Sequence, residues 1–383
     1  MSLEKNIERL QSIDALRGLV IIIMLLDHVR ETFYLHKQVT DPMDVTVTVT
    51  EPALFGSRLL AHICAPVFVL LTGISAFLFQ SKKQDLQQTR AFLLKRGLFL
   101  IMLELTLVNF AWTATFPPEV IYLQVIWAIG ISMVLLACCV SWPLPVLAGV
   151  ALVIIFGHNL LDSVYFSQGI LQNIWFVLHE RGWLEFAGIK LRTSYPVLPW
   201  IGVILLGYVL GQFFSSKYSA KQRSRTLLSL GLASIGLFVL LRFINGYGDQ
   251  PWQHFVSLQL TLMSFFNLTK YPPSLLFILL NVGIGLLVLV AFERIQQYSF
   301  LKPLVVFGSV PMFFYLLHLY VLKLMYVLAL SVWGANYGNY LSVSHVWMLW
   351  LITIVLSFAL YPAVKWFSKF KHQKKHISIL KYF

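Results

Sequence analysis

Apolar runs of about twenty residues recur along the whole chain, and about twenty residues is the length a helix needs to cross a bilayer. Ten such runs can be marked, at 13–35, 57–80, 93–113, 119–140, 142–160, 197–214, 226–244, 274–293, 303–332 and 345–367. Strand alternation is absent, which argues against a membrane barrel. Of the 383 residues, 58% are hydrophobic and 12% charged, about half the charge of a soluble domain. The expected fold is therefore all-α, a polytopic membrane bundle of about ten transmembrane helices. Residues 1–370 are read as a single membrane domain and 371–383 as a basic cytoplasmic tail. Pro311 inside the ninth run predicts a kink or a tilt. Gly207 and Gly211 have the spacing of close helix packing. No internal repeat is visible, so nothing in the sequence supports an inverted-repeat transporter design.

The net charge of +13 is not a nucleic-acid signature. One alternate set of loops and the two termini carry nineteen Lys and Arg, and the opposite set carries eight. By the positive-inside rule both termini are expected to be cytoplasmic. Lys5 and Arg9 before an apolar run resemble a signal peptide. No small-residue cleavage site follows, and Asp27-His28 interrupts the run, so the first run reads as an uncleaved span. The three cysteines, Cys64, Cys138 and Cys139, lie in or beside apolar runs and lack disulfide spacing. They read as small packing residues. The longer outer loops lie at 36–56, 161–196, 245–273 and 333–344, and the last three are rich in Trp, Tyr and Asn. Loops of such length either carry function or cap the bundle.

Ionisable groups inside a span are expensive and point to function. Arg17 and His28 are eleven residues apart in the first run. Three helical turns place them on one face, about 16 Å apart along the axis. His28 lies about seven residues before the outer end of the first span, and His62 about five residues into the second from the same side. The two are expected to meet in the outer leaflet with Asp27 beside them, a combination suited to proton transfer. The bland alternative is that each histidine only bonds a neighbouring helix. The spacing of a metal motif is absent. Arg17 either pairs locally with Asp14 and snorkels to the inner headgroups or receives an anionic substrate at the inner mouth. Glu104, His318 and Lys323 are further intruders, with Lys323 either snorkelling or pairing with Glu104. The loop containing Lys82, Lys83, Arg90, Lys95 and Arg96 either serves topology or holds phosphates.

At these residues the chain resembles bacterial members of the heparan-alpha-glucosaminide N-acetyltransferase catalytic-domain family. The motifs are Ile13-Asp14-Ala15-Leu16-Arg17-Gly18 with Asp27-His28-Val29-Arg30, and Ala61-His62-Ile63-Cys64-Ala65-Pro66-Val67-Phe68-Val69. Pro199-Trp200-Ile201-Gly202-Val203 with Leu206-Gly207-Tyr208 follows. Then come Lys270-Tyr271-Pro272-Pro273-Ser274-Leu275, and Gly308-Ser309-Val310-Pro311 with Tyr315-Leu316-Leu317-His318. Arg17 and His28 also match the Arg–ten residues–His pattern of the broader acyltransferase family three. The resemblance implies a multi-pass acyltransferase of the bacterial inner membrane. Acetyl-CoA or another acyl-CoA is the cosubstrate, entering from the cytoplasm. The acceptor is a sugar or glycan amine or hydroxyl on the outer side. Lipids surround the bundle, no metal is implied, and a homodimer is one assembly it could form.

On this reading His28, Asp27 and His62 are the catalytic candidates. Arg17, Lys95, Arg96, Gln124 and His318 are the candidates for holding the donor. The family's lysosomal members have Asn where His28 stands, with their proposed catalytic histidine eleven residues later. Here that later position is Val39 and the nearest histidine is His36. Two mechanisms stay open: His28 as general base for direct attack, which is preferred, or an acyl-histidine intermediate. The rival function is a proton-coupled transporter of a small solute or lipid-linked substrate, which would work without a thioester donor.

Overall fold

A computed structural model describes residues 11–36, 46–374 and 376–383. Val39 lies outside them. The chain forms a helical bundle. Helix α1 (Gln11–Arg30) runs on into a wider π-type turn, Glu31–Leu35. α2 (Pro52–Ala61) and α3 (Cys64–Lys83) follow each other with a break only at His62-Ile63. α4 (Leu86–Leu103) passes through a second π-type turn, Glu104–Val108, into α5 (Asn109–Thr113). α6 (Val125–Cys139), α7 (Leu144–Gly157), the short α8 (Ile170–Leu178) and α9 (Leu198–Leu210) come next. The remainder is α10 (Ala220–Ile244), α11 (Leu258–Phe266), α12 (Leu275–Ile295), α13 (Lys302–Ser309), α14 (Pro311–Trp333) and α15 (Val346–Gln373).

Six helical stretches among the described residues are long and apolar enough to cross a membrane: Pro52–Lys83, Leu144–Leu161, Ala220–Ile244, Leu275–Ile295, Pro311–Trp333 and Val346–Gln373. Val125–Cys139, Leu198–Phe214 and Ser299–Ser309 are apolar but shorter. The runs marked at 13–35 and 93–113 fall on α1 and on α4 with α5, which carry more charge. For α1 the reason is position. Fifteen of its twenty residues are buried, so protein surrounds it, and its polar groups meet protein partners rather than lipid.

The ninth run is broken rather than kinked. α13 ends at Ser309, Val310 leaves the helical region at φ −138°, and Pro311 starts α14. Proline has no N–H and a fixed φ, so it suits the first turn of a new helix. The break lets α13 lie tightly on α1. A Cβ added to Gly18 would sit 1.9 Å from the Leu304 carbonyl oxygen, and one added to Gly308 would sit 1.8 Å from that of Asp14. The α3–α9 contact is built the same way. A Cβ on Gly207 would fall 2.2 Å from the Leu70 carbonyl oxygen, which accounts for the small-residue spacing in that span.

The loop 161–196 and the start of the run marked at 119–140, where the helix begins only at Val125, fold into strands. β1 (Val120–Leu123), β2 (Trp183–Phe186) and β3 (Ile189–Thr193) make a small sheet in the order β1-β3-β2. β1 pairs parallel to β3, and β2 antiparallel to it. Ala187 and Gly188, both at positive φ, close the β2–β3 hairpin with the turn that matches strand twist. The sequence reading expected no strands. Four or five residues are too few for alternation to show.

Candidate active site

Each wall of the main cavity is one stripe of a helix. α1 supplies Arg17, Ile21 and Met24, and α3 supplies Phe68, Thr72, Ser75, Ala76 and Phe79. α4 gives Phe92, Leu93, Arg96 and Leu100, and α6 gives Val125, Ile126, Ile129 and Met133. These spacings of three and four put each set on one helical face. Ser309, Pro311, Met312 and Tyr315 close the side where α13 gives way to α14. The cavity has a volume of about 310 Å³, and from Phe68 to Phe79 it follows α3 for about 16 Å.

One end of this cavity is cationic. Arg17 donates to Asp14 Oδ1 at 2.9 Å, to Ser75 Oγ at 3.0 Å and to the Gly308 carbonyl at 3.2 Å. Both the local ion pair and a place on the cavity wall are therefore realised. Lys371 Nζ donates to the carbonyl oxygens of Ser309 and Phe383, each at 3.0 Å. Arg96 lies over the Phe92 ring, and its buried Nε has no hydrogen-bond partner among the described residues. Residues 371–373 finish α15, and the short helix Ser378–Tyr382 folds back so that Tyr382 packs 5.3 Å from Phe99. Phe383 lines the cavity itself.

The other end of the cavity meets a histidine pair. His28 follows Arg17, Ile21 and Met24 on the same stripe of α1. The Tyr315 ring lies 5.8 Å from the His28 ring, edge on. His28 Nδ1 and His318 Nε2 are 2.7 Å apart, and His318 Nδ1 is 2.6 Å from the Phe314 carbonyl oxygen. The pattern assigns the protons. A carbonyl only accepts, so His318 Nδ1 carries hydrogen. In an uncharged His318 ring Nε2 is then the acceptor, and His28 Nδ1 donates to it. An uncharged His28 is left with its lone pair on Nε2, the form a general base requires.

A second, smaller cavity of about 160 Å³ lies beyond this pair. Glu31, His36, Trp112, Lys323 and Tyr340 help line it. Trp112 is shared: its ring meets His28 edge-on at 5.2 Å, and its carbonyl accepts from Lys323 Nζ at 3.0 Å. His36 stacks on Tyr340 at 4.8 Å. His28 thus sits behind one aromatic ring from each cavity, Tyr315 on the cationic side and Trp112 on the other.

The residues singled out in sequence divide as follows. Arg17 and Arg96 reach the main cavity. Lys95 is exposed and does not line it. Gln124 is buried at the start of α6, one residue before the lining Val125. His318 joins His28 instead of the cationic end. His62 is fully buried against Phe277 at 5.0 Å. The structure does not bring it to His28, whose ring partners among the described residues are Trp112, Tyr315 and His318. Asp27 accepts from Arg30 and from Lys270 Nζ, the latter at 3.3 Å. Glu104 takes the Trp127 N–H at 3.0 Å, so it holds the start of α6 rather than Lys323. Tyr315, Trp112, Lys270 and Lys371 were not singled out for chemistry. Tyr315 could have been, because it stands three residues before His318 and so shares its face.

Residues 9–244 match the family described as heparan-alpha-glucosaminide N-acetyltransferase, catalytic. No curated protein matches the chain. The match takes in more than half of the chain, and the protein belongs to this family of membrane acetyltransferases.

Proposed function

We propose, from that membership and from the cavity beside His28, that the protein moves an acetyl or similar acyl group from cytoplasmic acyl-CoA to an amine or hydroxyl of a sugar or glycan on the other side of the membrane. The observation that carries the reading is the main cavity. It starts among Arg17, Arg96 and Lys371 and ends at Tyr315, against His28. A CoA molecule has the matching polarity, with anionic phosphates at one end and a slender arm ending in the thioester. Arg96, with an open donor, and Arg17 would hold phosphate oxygens through charge-assisted hydrogen bonds. The aromatic and aliphatic stripes would sheathe the arm. The acceptor would come through the smaller cavity.

In the preferred mechanism His28 Nε2 takes a proton from the acceptor amine or hydroxyl as that atom attacks the thioester carbonyl carbon. The tetrahedral intermediate collapses by breaking the carbon–sulfur bond. The CoA thiolate leaves and recovers the proton from His28. His318 orients the ring by accepting from Nδ1, and Tyr315 and Trp112 keep water from the reacting atoms.

Donor binding is the first test. Calorimetry on detergent-purified protein should show saturable binding of CoA and acetyl-CoA that weakens as salt screens the phosphate contacts. Arg96→Ala should weaken it about tenfold to 100-fold, the range expected for losing a hydrogen bond between charged groups. Absence of binding up to millimolar CoA would overturn the proposal and favour the transporter.

A further inference from the structure

A third cavity, of about 370 Å³, opens among the loops that follow α7, α8 and α10 and the one that precedes α12. The acyl-transfer reading does not use it. Arg90 Nε bonds the Ala137 carbonyl in the last turn of α6 at 3.1 Å, which puts the end of α6, and with it the start of α7 five residues after Cys139, at the basic end of the bundle. The far end of α7, where this cavity begins, is the opposite end. The loop 269–274 separates it from the centre described above. Thr269 and Ser274 hydrogen-bond Asp249 on its wall, whereas Lys270 between them reaches Asp27.

The chemistry of the lining is one-sided. Among the described residues its carboxylates are Asp162, Glu180 and Asp249, and no described Lys or Arg lines it. Asp249 is already saturated by neutral donors. It accepts from the N–H and hydroxyl of Thr269, at 3.0 and 2.7 Å, and from Ser274. Asp162 is half exposed and accepts from His179 Nε2 at 2.8 Å and Asn159 Nδ2 at 2.9 Å. Burial raises its carboxyl, but the bonds from His179 and Asn159 outweigh this and hold it below the ordinary carboxylate value. His179 is 3% exposed and lines the cavity, yet its buried Nδ1 has no hydrogen-bond partner among the described residues. With Nε2 donating to Asp162, the uncharged ring presents a lone pair at Nδ1. Trp175, 5.0 Å from His179, and Tyr165 add aromatic faces. This lining is electronegative and offers acceptors and aromatic faces, which suits a positively charged ligand that donates hydrogen bonds.

We propose that this cavity is a binding site for a small organic ammonium compound, with the ammonium group between Asp162 and Glu180 and the carbon chain across Trp175. The site is separate from the donor cavity, so its occupancy is measured without any acyl-CoA. The probe is putrescine, and the control is 1,4-butanediol, which has the same carbon chain and no charge. Calorimetry on the intact protein should show saturable putrescine binding that weakens with salt, and none for the diol. Asp162→Asn combined with Glu180→Gln should weaken putrescine binding at least tenfold. Trp175→Ala should weaken it too, and Trp175→Phe should retain it. CoA binding of the same variants reports whether they are folded and tests the donor reading on its own. Equal affinity for putrescine and the diol, no saturable putrescine binding, or unchanged binding in the folded double variant would each overturn the site.

Discussion

His28→Ala should leave a folded protein that still binds CoA and transfers the acyl group about 100-fold to 10,000-fold more slowly, the range for losing a general base. The expectation rests on geometry. His28 is one ring away from both cavities, and its Nδ1 is engaged by His318 at 2.7 Å, which leaves Nε2 for the proton. The proposed donor contacts lie about three helical turns away at Arg17, so their loss is not expected. His318→Ala should lower turnover about 100-fold, as when a catalytic group loses its positioning. Its KM for acyl-CoA should stay close to that of the parent. His318→Gln, which keeps an acceptor within reach of His28 Nδ1, should recover part of the rate. His36→Ala is the control, because His36 stacks on Tyr340 beside the smaller cavity and is the histidine nearest the position proposed as catalytic in the lysosomal members. Near-normal transfer by His28→Ala, with loss in His36→Ala, would reject His28 as the base.

The parts of this site that were legible in sequence share one property: they are periodic within a single helix. Arg17, Ile21, Met24 and His28 form one stripe of α1, and the three-and-four spacing gave that directly. Long-range partners were not legible. His62 was assigned to His28 because consecutive spans are neighbours, and α1 does pack on both α2 and α3. Adjacency, however, says nothing about the rotation of a helix about its axis. His62 turned to Phe277, and the partner of His28 came from 290 residues away. Pro311 was visible as a disruption. Whether it kinks a helix or starts a new one depends on the close approach of Gly308 to α1, which is a tertiary contact. The small sheet escaped for a local reason, since its strands are only four or five residues long, and β1 falls inside the run marked at 119–140 whereas β2 and β3 share the loop 161–196. Asp27 was read beside the histidines as a catalytic partner because the two are adjacent in sequence. Its carboxylate bonds Arg30 and Lys270.

Asp27→Asn should destabilise the protein by about 3–5 kcal/mol, the loss found when one member of a buried ion pair is removed. That is a large part of the roughly 5–15 kcal/mol that holds a typical domain folded. Asp27 is buried between two cations, Arg30 one helical turn on and Lys270 from the loop before α12. Asparagine keeps the volume and removes the charge, so the two cations face each other in a medium where repulsion is poorly screened. Thermal unfolding in detergent should show a clear drop in midpoint and a lower folded yield. Adding Lys270→Met should restore much of the midpoint, since it removes one of the two cations and leaves an apolar chain of similar length. Lys270→Met alone leaves Asp27 with Arg30 and should lose less than Asp27→Asn. If Asp27 instead serves His28 in catalysis and not the fold, Asp27→Asn would keep the parent's midpoint while losing turnover, and Lys270→Met would not rescue it. That pair of results would return Asp27 to the catalytic group and remove the structural role assigned to the Arg30–Asp27–Lys270 cluster.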